Sequence, residues 1–109
     1  KKGPVMEIIS IDELHERIGS LGDDEIILDV RTPEEFSEGH IKGAQNTPHD
    51  QVASISDELQ SLKTVYVHCK MGGRAQQASK TLEAKGLSNI VCVGKGGMHR
   101  WIEKGWRVE

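Results

Sequence analysis

Cysteine is scarce in this chain. Cys69 and Cys92 are too few for a disulfide framework, and they lack the paired C-x-x-C spacing of a zinc site. His15, His40, His49, His68 and His99 are equally dispersed, so no metal site is expected. Long apolar runs are missing too: no stretch approaches the roughly 20 residues that a membrane helix needs, and no membrane association is expected. Nor is positive charge in excess. Lys and Arg number 14 against 17 Asp and Glu, a formal net charge of -3, whereas a general nucleic-acid binder carries a basic stripe. Any anion site must be local. Internal repeats, low-complexity tracts and linker-like stretches are absent. The chain opens at Lys1 without an initiator methionine, which reads as a fragment, a processed product or a recombinant piece, so targeting cannot be judged from it.

What remains is the profile of one globular domain: 109 residues, 36% hydrophobic and 28% charged, enough for a single core. The whole of 1–109 reads as that domain, with residues 1–4 as a flexible or added start. Ser10 and Glu13 have capping-box spacing, and Ile11, Leu14 and Ile18 follow near helical spacing until Gly19, which predicts a short helix. Glu25–Val30 is an almost wholly apolar run, as expected for a strand covered on both faces. Thr32, Pro33 and Glu35 then supply a cap, a proline at the first helical position and an acid at the third, predicting a brief helix that stops by Gly39. One extended segment is expected within Gly43–Pro48, a weakly capped helix over Gln51–Leu62 and a strand over Thr64–His68. Arg74–Lys85 reads as a helix with Ala75, Ala78 and Leu82 on one face. Asn89–Val93 reads as a strand interrupted by Gly94, Gly96 and Gly97, and Met98–Lys104 as a last short helix. Strands alternating with helices imply an α/β fold, a parallel sheet with helices on both faces, and ligands bound beyond the carboxyl ends of the strands.

Cys69 occupies such an end. In the run Cys69-Lys70-Met71-Gly72-Gly73-Arg74 a strand passes into a helix, so backbone N–H groups of the turn and the positive helix end can point at the sulfur. Lys70 and Arg74 add positive charge, while Gly72 and Gly73 permit unusual dihedrals and close approach to a ligand. This setting favours the thiolate, the nucleophilic form of cysteine. A free cysteine ending a strand is commonly just a small apolar residue; the basic, glycine-rich turn tips the reading towards a nucleophile. Cys92, between Val91 and Val93, has no such turn and reads as core. Its functional alternative, a resolving thiol for Cys69, requires the two strand ends to lie side by side.

The ordered set Leu28-Asp29-Val30-Arg31, Glu35-Phe36, Gly39-His40-Ile41, Gly43-Ala44, Asn46, Pro48, the cysteine loop, and Gly96-Gly97 with Trp101 and Gly105 resembles a single-domain rhodanese over nearly the whole chain. The resemblance implies a five-stranded parallel sheet flanked by helices, and a sulfurtransferase cycle without a cofactor. In that cycle the family's catalytic cysteine corresponds to Cys69, which takes a sulfane sulfur from a small anionic donor such as thiosulfate, or from a persulfide, and passes it to a thiol, cyanide or protein acceptor. Lys70, Met71, Gly72, Gly73 and Arg74 then form the substrate-binding loop, with backbone N–H groups cradling the persulfide and Arg74 facing the anion. It also implies a cytoplasmic enzyme of sulfur metabolism.

Other readings stand beside this one. Cdc25-type phosphatases share the fold, but their loop is longer between Cys and Arg; here only Lys70, Met71, Gly72 and Gly73 intervene, a ring suited to a sulfur atom. A non-catalytic module that binds a partner or senses oxidants through Cys69 is a second alternative. Ala75 departs from the family's serine or threonine, and Thr47 from its apolar residue before Pro48. Lys70 either recognises an anion or sits on the solvated rim, and Arg74 either faces the donor or only caps or pairs at the helix start. Asp29 is expected to bond backbone, Arg31 to pair with an acid such as Glu35 or Glu38, and His40 and His68 to be satisfied polar residues. Trp101 and Trp106 read as packing, with Trp101 a possible site wall, and Lys95 with Gly94, Gly96 and Gly97 as the opposite rim.

Overall fold

The structure, a computed structural model, describes residues 6–109, so the expected start at residues 1–4 lies outside the described residues. Five strands, β1 (Glu7–Ser10), β2 (Glu25–Asp29), β3 (Gln45–Asn46), β4 (Thr64–His68) and β5 (Ile90–Lys95), form one sheet in the order β1-β5-β4-β2-β3. Every neighbouring pair is parallel. Among the described residues five α-helices connect and flank the strands: α1 (Ile11–Arg17), α2 (Pro33–Glu38), α3 (Ser56–Gln60), α4 (Gly73–Ala84) and α5 (Gly97–Glu103).

A parallel sheet must bury both faces, and alternate residues of each strand serve opposite sides. On one face Leu28, Val65, Val67 and Ile90 pack with Val52, Leu59, Ala78 and Leu82. On the other, Ile27, Tyr66, Val91 and Val93 pack with Ile11, Leu14, Met98 and Trp101. This double covering is why the strands read as continuous apolar runs. The α1 and α2 starts follow the sequence signals: Ser10 and Thr32 accept from the Glu13 and Glu35 N–H groups at 3.1 and 3.2 Å, and each glutamate accepts in return from the cap residue's N–H.

Three elements differ from expectation. The helix over Gln51–Leu62 is instead a 3₁₀ segment, His49–Ile55, followed by α3; neither start has a side-chain cap, so nothing fixes one continuous helix. The last strand does not stop at Val93 but runs through Gly94 to Lys95, where it pairs with Ser10 of β1. Gly94 is there for close approach rather than termination, because a Cβ would press on Ile8 and Gln76 at 3.2 and 3.3 Å. β1 itself has no strand signal of its own in the sequence; four residues at the sheet edge, leading straight into a capped helix, carry little periodicity.

Candidate functional site

β4 delivers Cys69 to the carboxyl edge of the sheet, and a tight turn carries the chain into α4 at Gly73. The sulfur accepts from the N–H groups of Gly72 at 3.0 Å and Ala75 at 3.2 Å, and Cys69 is 1% exposed. The turn can be this tight because Gly72 adopts φ +123°, and a Cβ there would collide with the Gly94 carbonyl. The following turn locks the loop from the other side. Met98 N–H donates to the Cys69 carbonyl and His99 N–H to that of Lys70, both at 2.9 Å. Gly97, at φ +44°, lies so close to those carbonyls that no Cβ fits. Of the four residues expected on the opposite rim, Gly94 and Gly97 lie against the loop, whereas Gly96 packs on Ile11 and Arg100. Lys70 and Gly73 face solvent, and Met71 is 61% exposed at the tip of the loop.

Arg74 does not stand free at the helix start. Its Nη1 and Nη2 donate to Glu35 Oε1 and Oε2 at 2.7 and 3.0 Å, a bidentate pair joining positions 39 residues apart. Thr32 N–H and Oγ1 donate to the same carboxylate at 3.0 and 3.2 Å. The Arg74 guanidinium, followed by the Thr32 bonds, holds the Glu35 carboxyl at a pKa of about 2, and Glu35 in turn raises that of Arg74. Sequence reasoning placed Glu35 in the capping box and missed this second role, because the capping pattern already accounts for the residue.

Arg31 pairs with an acid, as expected, but that acid is Asp29 rather than Glu35 or Glu38. Its Nε and Nη2 reach Asp29 Oδ1 and Oδ2 at 2.9 and 2.7 Å, and Nη2 also donates to the Gly39 carbonyl at 2.8 Å. Arg74 already engages Glu35, and Arg31 and Asp29 are buried together. The Asp29 carboxylate also accepts the Arg31 backbone N–H at 3.1 Å, the expected turn bond. His40 is satisfied, with Nδ1 2.9 Å from the Phe36 carbonyl oxygen and its ring stacked on Phe36. His68 is not: it is fully buried, neither ring nitrogen has a hydrogen-bond partner, and Asp29 Oδ2 stands 3.8 Å from Nε2. Burial pushes its pKa below 6.5, with the Asp29 charge opposing.

Trp101 is a packing residue, its Nε1–H donating to the Arg107 carbonyl at 2.8 Å and its ring meeting His15 and Trp106 edge-on. Cys92 is fully buried in the same cluster as Cys69, and burial raises its thiol pKa. β4 and β5 do lie side by side, pairing Val67 with Cys92, yet both cysteines are free thiols. Beside the loop opens a cleft of about 550 Å³ whose walls include Arg31, Glu35, Lys70, Met98, Ile102 and Val108. Among the described residues no cluster of His, Cys, Asp and Glu could hold a metal ion, and no helix is long and apolar enough to cross a membrane.

Comparison with known proteins places the chain in a family. The crystal structure of SSP1007 from Staphylococcus saprophyticus superposes with a TM-score of 0.80 at 35% identity, covering 95% of this chain and 99% of that one. Thiosulfate sulfurtransferase 16, chloroplastic, of Arabidopsis thaliana is 33% identical over 90 residues, 72% of this chain and 74% of that protein. The putative sulfur carrier protein YrkF of Bacillus subtilis is 31% identical over 97 residues, 88% of this chain. The chain spans little more than half the length of two curated relatives it matches, 59% in one case and 51% in YrkF. The family model of the rhodanese-like domain matches residues 10–104, which takes in every element from the α1 cap to the end of α5, and the chain belongs to the rhodanese-like family.

Proposed function

We propose that this chain is a rhodanese-type sulfurtransferase that carries sulfane sulfur as a persulfide on Cys69. The observation that carries the reading is the pair of amide N–H groups, Gly72 and Ala75, aimed at Cys69 Sγ at the start of α4. They stabilise negative charge on sulfur, and the helix end adds to their effect. In the proposed cycle the Cys69 thiolate attacks the outer sulfur of thiosulfate, one S–S bond forms as another breaks, and sulfite leaves. With an organic persulfide the leaving group is the thiolate, which takes the persulfide proton. The loop N–H groups of residues 70–74 cradle the terminal sulfur, and Lys70 faces the donor, with Arg74 beside it and paired to Glu35. An attacking thiol or cyanide then removes that sulfur and restores the Cys69 thiolate, a covalent ping-pong cycle. The shortness of the loop, four residues between Cys69 and Arg74, favours sulfur over a tetrahedral phosphate. Two free cysteines suit a reducing compartment such as the cytoplasm.

The test is intact mass. Reduced protein mixed with thiosulfate or glutathione persulfide, freed of donor and weighed is expected to gain one sulfur, roughly 32 Da, and to lose it on adding cyanide. Cys69→Ser is expected to gain nothing and to keep its fold by circular dichroism. A sulfur adduct retained in Cys69→Ser overturns the assignment. A second reading, a partner-binding or oxidant-sensing module, draws support from the 1% exposure of Cys69; rapid multiple turnover of either donor excludes it.

A further inference from the structure

The bidentate pair between Arg74 and Glu35 has a consequence for what the loop accepts. The loop guanidinium is the natural partner of an anionic donor, yet two of its N–H groups are committed to a carboxylate that two further contacts, from Thr32, hold in place. Glu35 is fixed by the α2 cap through Thr32, and it remains charged down to a pKa of about 2. A small dianion must compete with a carboxylate that is already aligned, charged and anchored. Other charges at the mouth do not make up the difference. Arg31 is paired with Asp29 at 2.7 Å, and His99 lies 3.5 Å from Glu103, while Lys70 shares the cleft wall with the acids Glu35, Glu38 and Glu103. The same cleft offers apolar surface from Met98, Ile102 and Val108, with Ile102 59% exposed. About 550 Å³ is far more room than thiosulfate can fill, and it suits a sulfur borne on a larger organic body.

We propose that Glu35 sets donor preference: by holding Arg74 it withholds the guanidinium from small dianions, and the site takes its sulfur from a persulfide carried on an organic thiol. This rests on the sulfurtransferase reading. The balanced step is attack of the Cys69 thiolate on the outer sulfur of R–S–SH, forming the Cys69 S–S bond, breaking the donor's S–S bond and releasing R–SH once the proton has moved to the leaving thiolate. Glu35 is a positioning residue in this account and acts only through Arg74.

The experiment compares glutathione persulfide and thiosulfate as donors to the wild-type protein and to Glu35→Gln. Glutamine keeps an oxygen for the capping box while removing the charge. Wild type is expected to favour the persulfide in kcat/KM by at least about tenfold, as loss of one charge-assisted contact to a small anion implies. Glu35→Gln is expected to lower the KM for thiosulfate by about tenfold, with kcat and the persulfide KM little changed. A direct binding arm accompanies it: NMR titration of thiosulfate into Cys69→Ser with and without Glu35→Gln, expecting tighter binding in the double variant. Equal or weaker thiosulfate binding in the double variant overturns the role of Glu35, and a wild type that prefers thiosulfate overturns the donor class even if the variant does not fold. No turnover on either donor instead overturns the sulfurtransferase reading, and the binding arm still reports on Glu35 separately.

Discussion

Gly72 is the residue on which the sulfur's surroundings turn. Its φ of +123° is one that side chains rarely adopt, and the missing Cβ is what lets the loop lie against the Gly94 carbonyl, backbone against backbone. Neither partner can swing aside as a flexible side chain would. Gly72→Ala is therefore expected to cost about 3 kcal/mol or more, combining dihedral strain with the displaced backbone. Urea denaturation reads the loss of stability, and iodoacetamide labelling of Cys69 is expected to quicken as the displaced loop uncovers a residue that is otherwise 1% exposed. A variant as stable and as slowly labelled as wild type would show that the loop does not depend on this contact. At this scale the sequence was most informative where chemistry is local. The cysteine, its glycines and the strand-to-helix passage are consecutive, so the Cys69 turn could be read directly. The partners of Arg31 and Arg74 could not: several acids lie within reach of each, and only the folded arrangement decides which one points the right way. His68 was misread for a related reason, since nothing in the sequence announces that a polar ring will be enclosed without a partner.

Among the elements, α2 does most to connect the fold to the site. It is six residues long and buries none of them, so its position depends on its cap and on the Arg74 pair rather than on core packing. Thr32 accepts the Glu35 N–H while donating to the Glu35 carboxylate that holds Arg74, and this links the start of α2 to the start of α4. Thr32→Ala is expected to lose about 1 kcal/mol of stability, typical of a lost cap. Combined with Arg74→Ala, its effect is expected to fall short of additivity by about 0.5 kcal/mol or more, since both act on one carboxylate. Denaturation of the four proteins of that cycle checks it, and strict additivity would mean that α2 and the loop are energetically separate. The capped elements, α1 and α2, were legible in the sequence because capping uses residues three apart. Without a cap, α4 and α5 were still legible, α4 from its apolar face, but the 3₁₀ segment and α3 share one stretch that reads as a single helix, and β1 is recognised only once β5 is there to pair with it.

For the molecule as a whole, acid stability gathers these local features into one curve. His68 has a folded pKa below the 6.5 of an exposed imidazole because burial opposes its charge. Below pH 6.5 the unfolded chain binds a proton that the native protein refuses, so the stability fully present above 6.5 declines as pH falls, by about 1.4 kcal/mol per pH unit while the native ring stays neutral. Glu35 works in a lower window. Its folded value of about 2 lies below the usual 4.5, so its contribution is complete above pH 4.5 and drains between there and about 2. Because the Arg74 pair is partly exposed, that contribution is about 2 kcal/mol at most once solvent screening is allowed for. His68→Leu separates the two. It removes a titrating group and two unpartnered polar atoms from a site whose volume leucine nearly matches, so stability at pH 8 is expected to hold or rise. The decline beginning at pH 6.5 is expected to flatten, while the loss below pH 4.5 stays. Denaturant midpoints from pH 8 to pH 3 for the two proteins test this. Parallel curves would place the acid sensitivity elsewhere, whereas a separation that is constant above pH 6.5 and widens below it assigns the sensitivity to the enclosed ring beneath the cysteine loop.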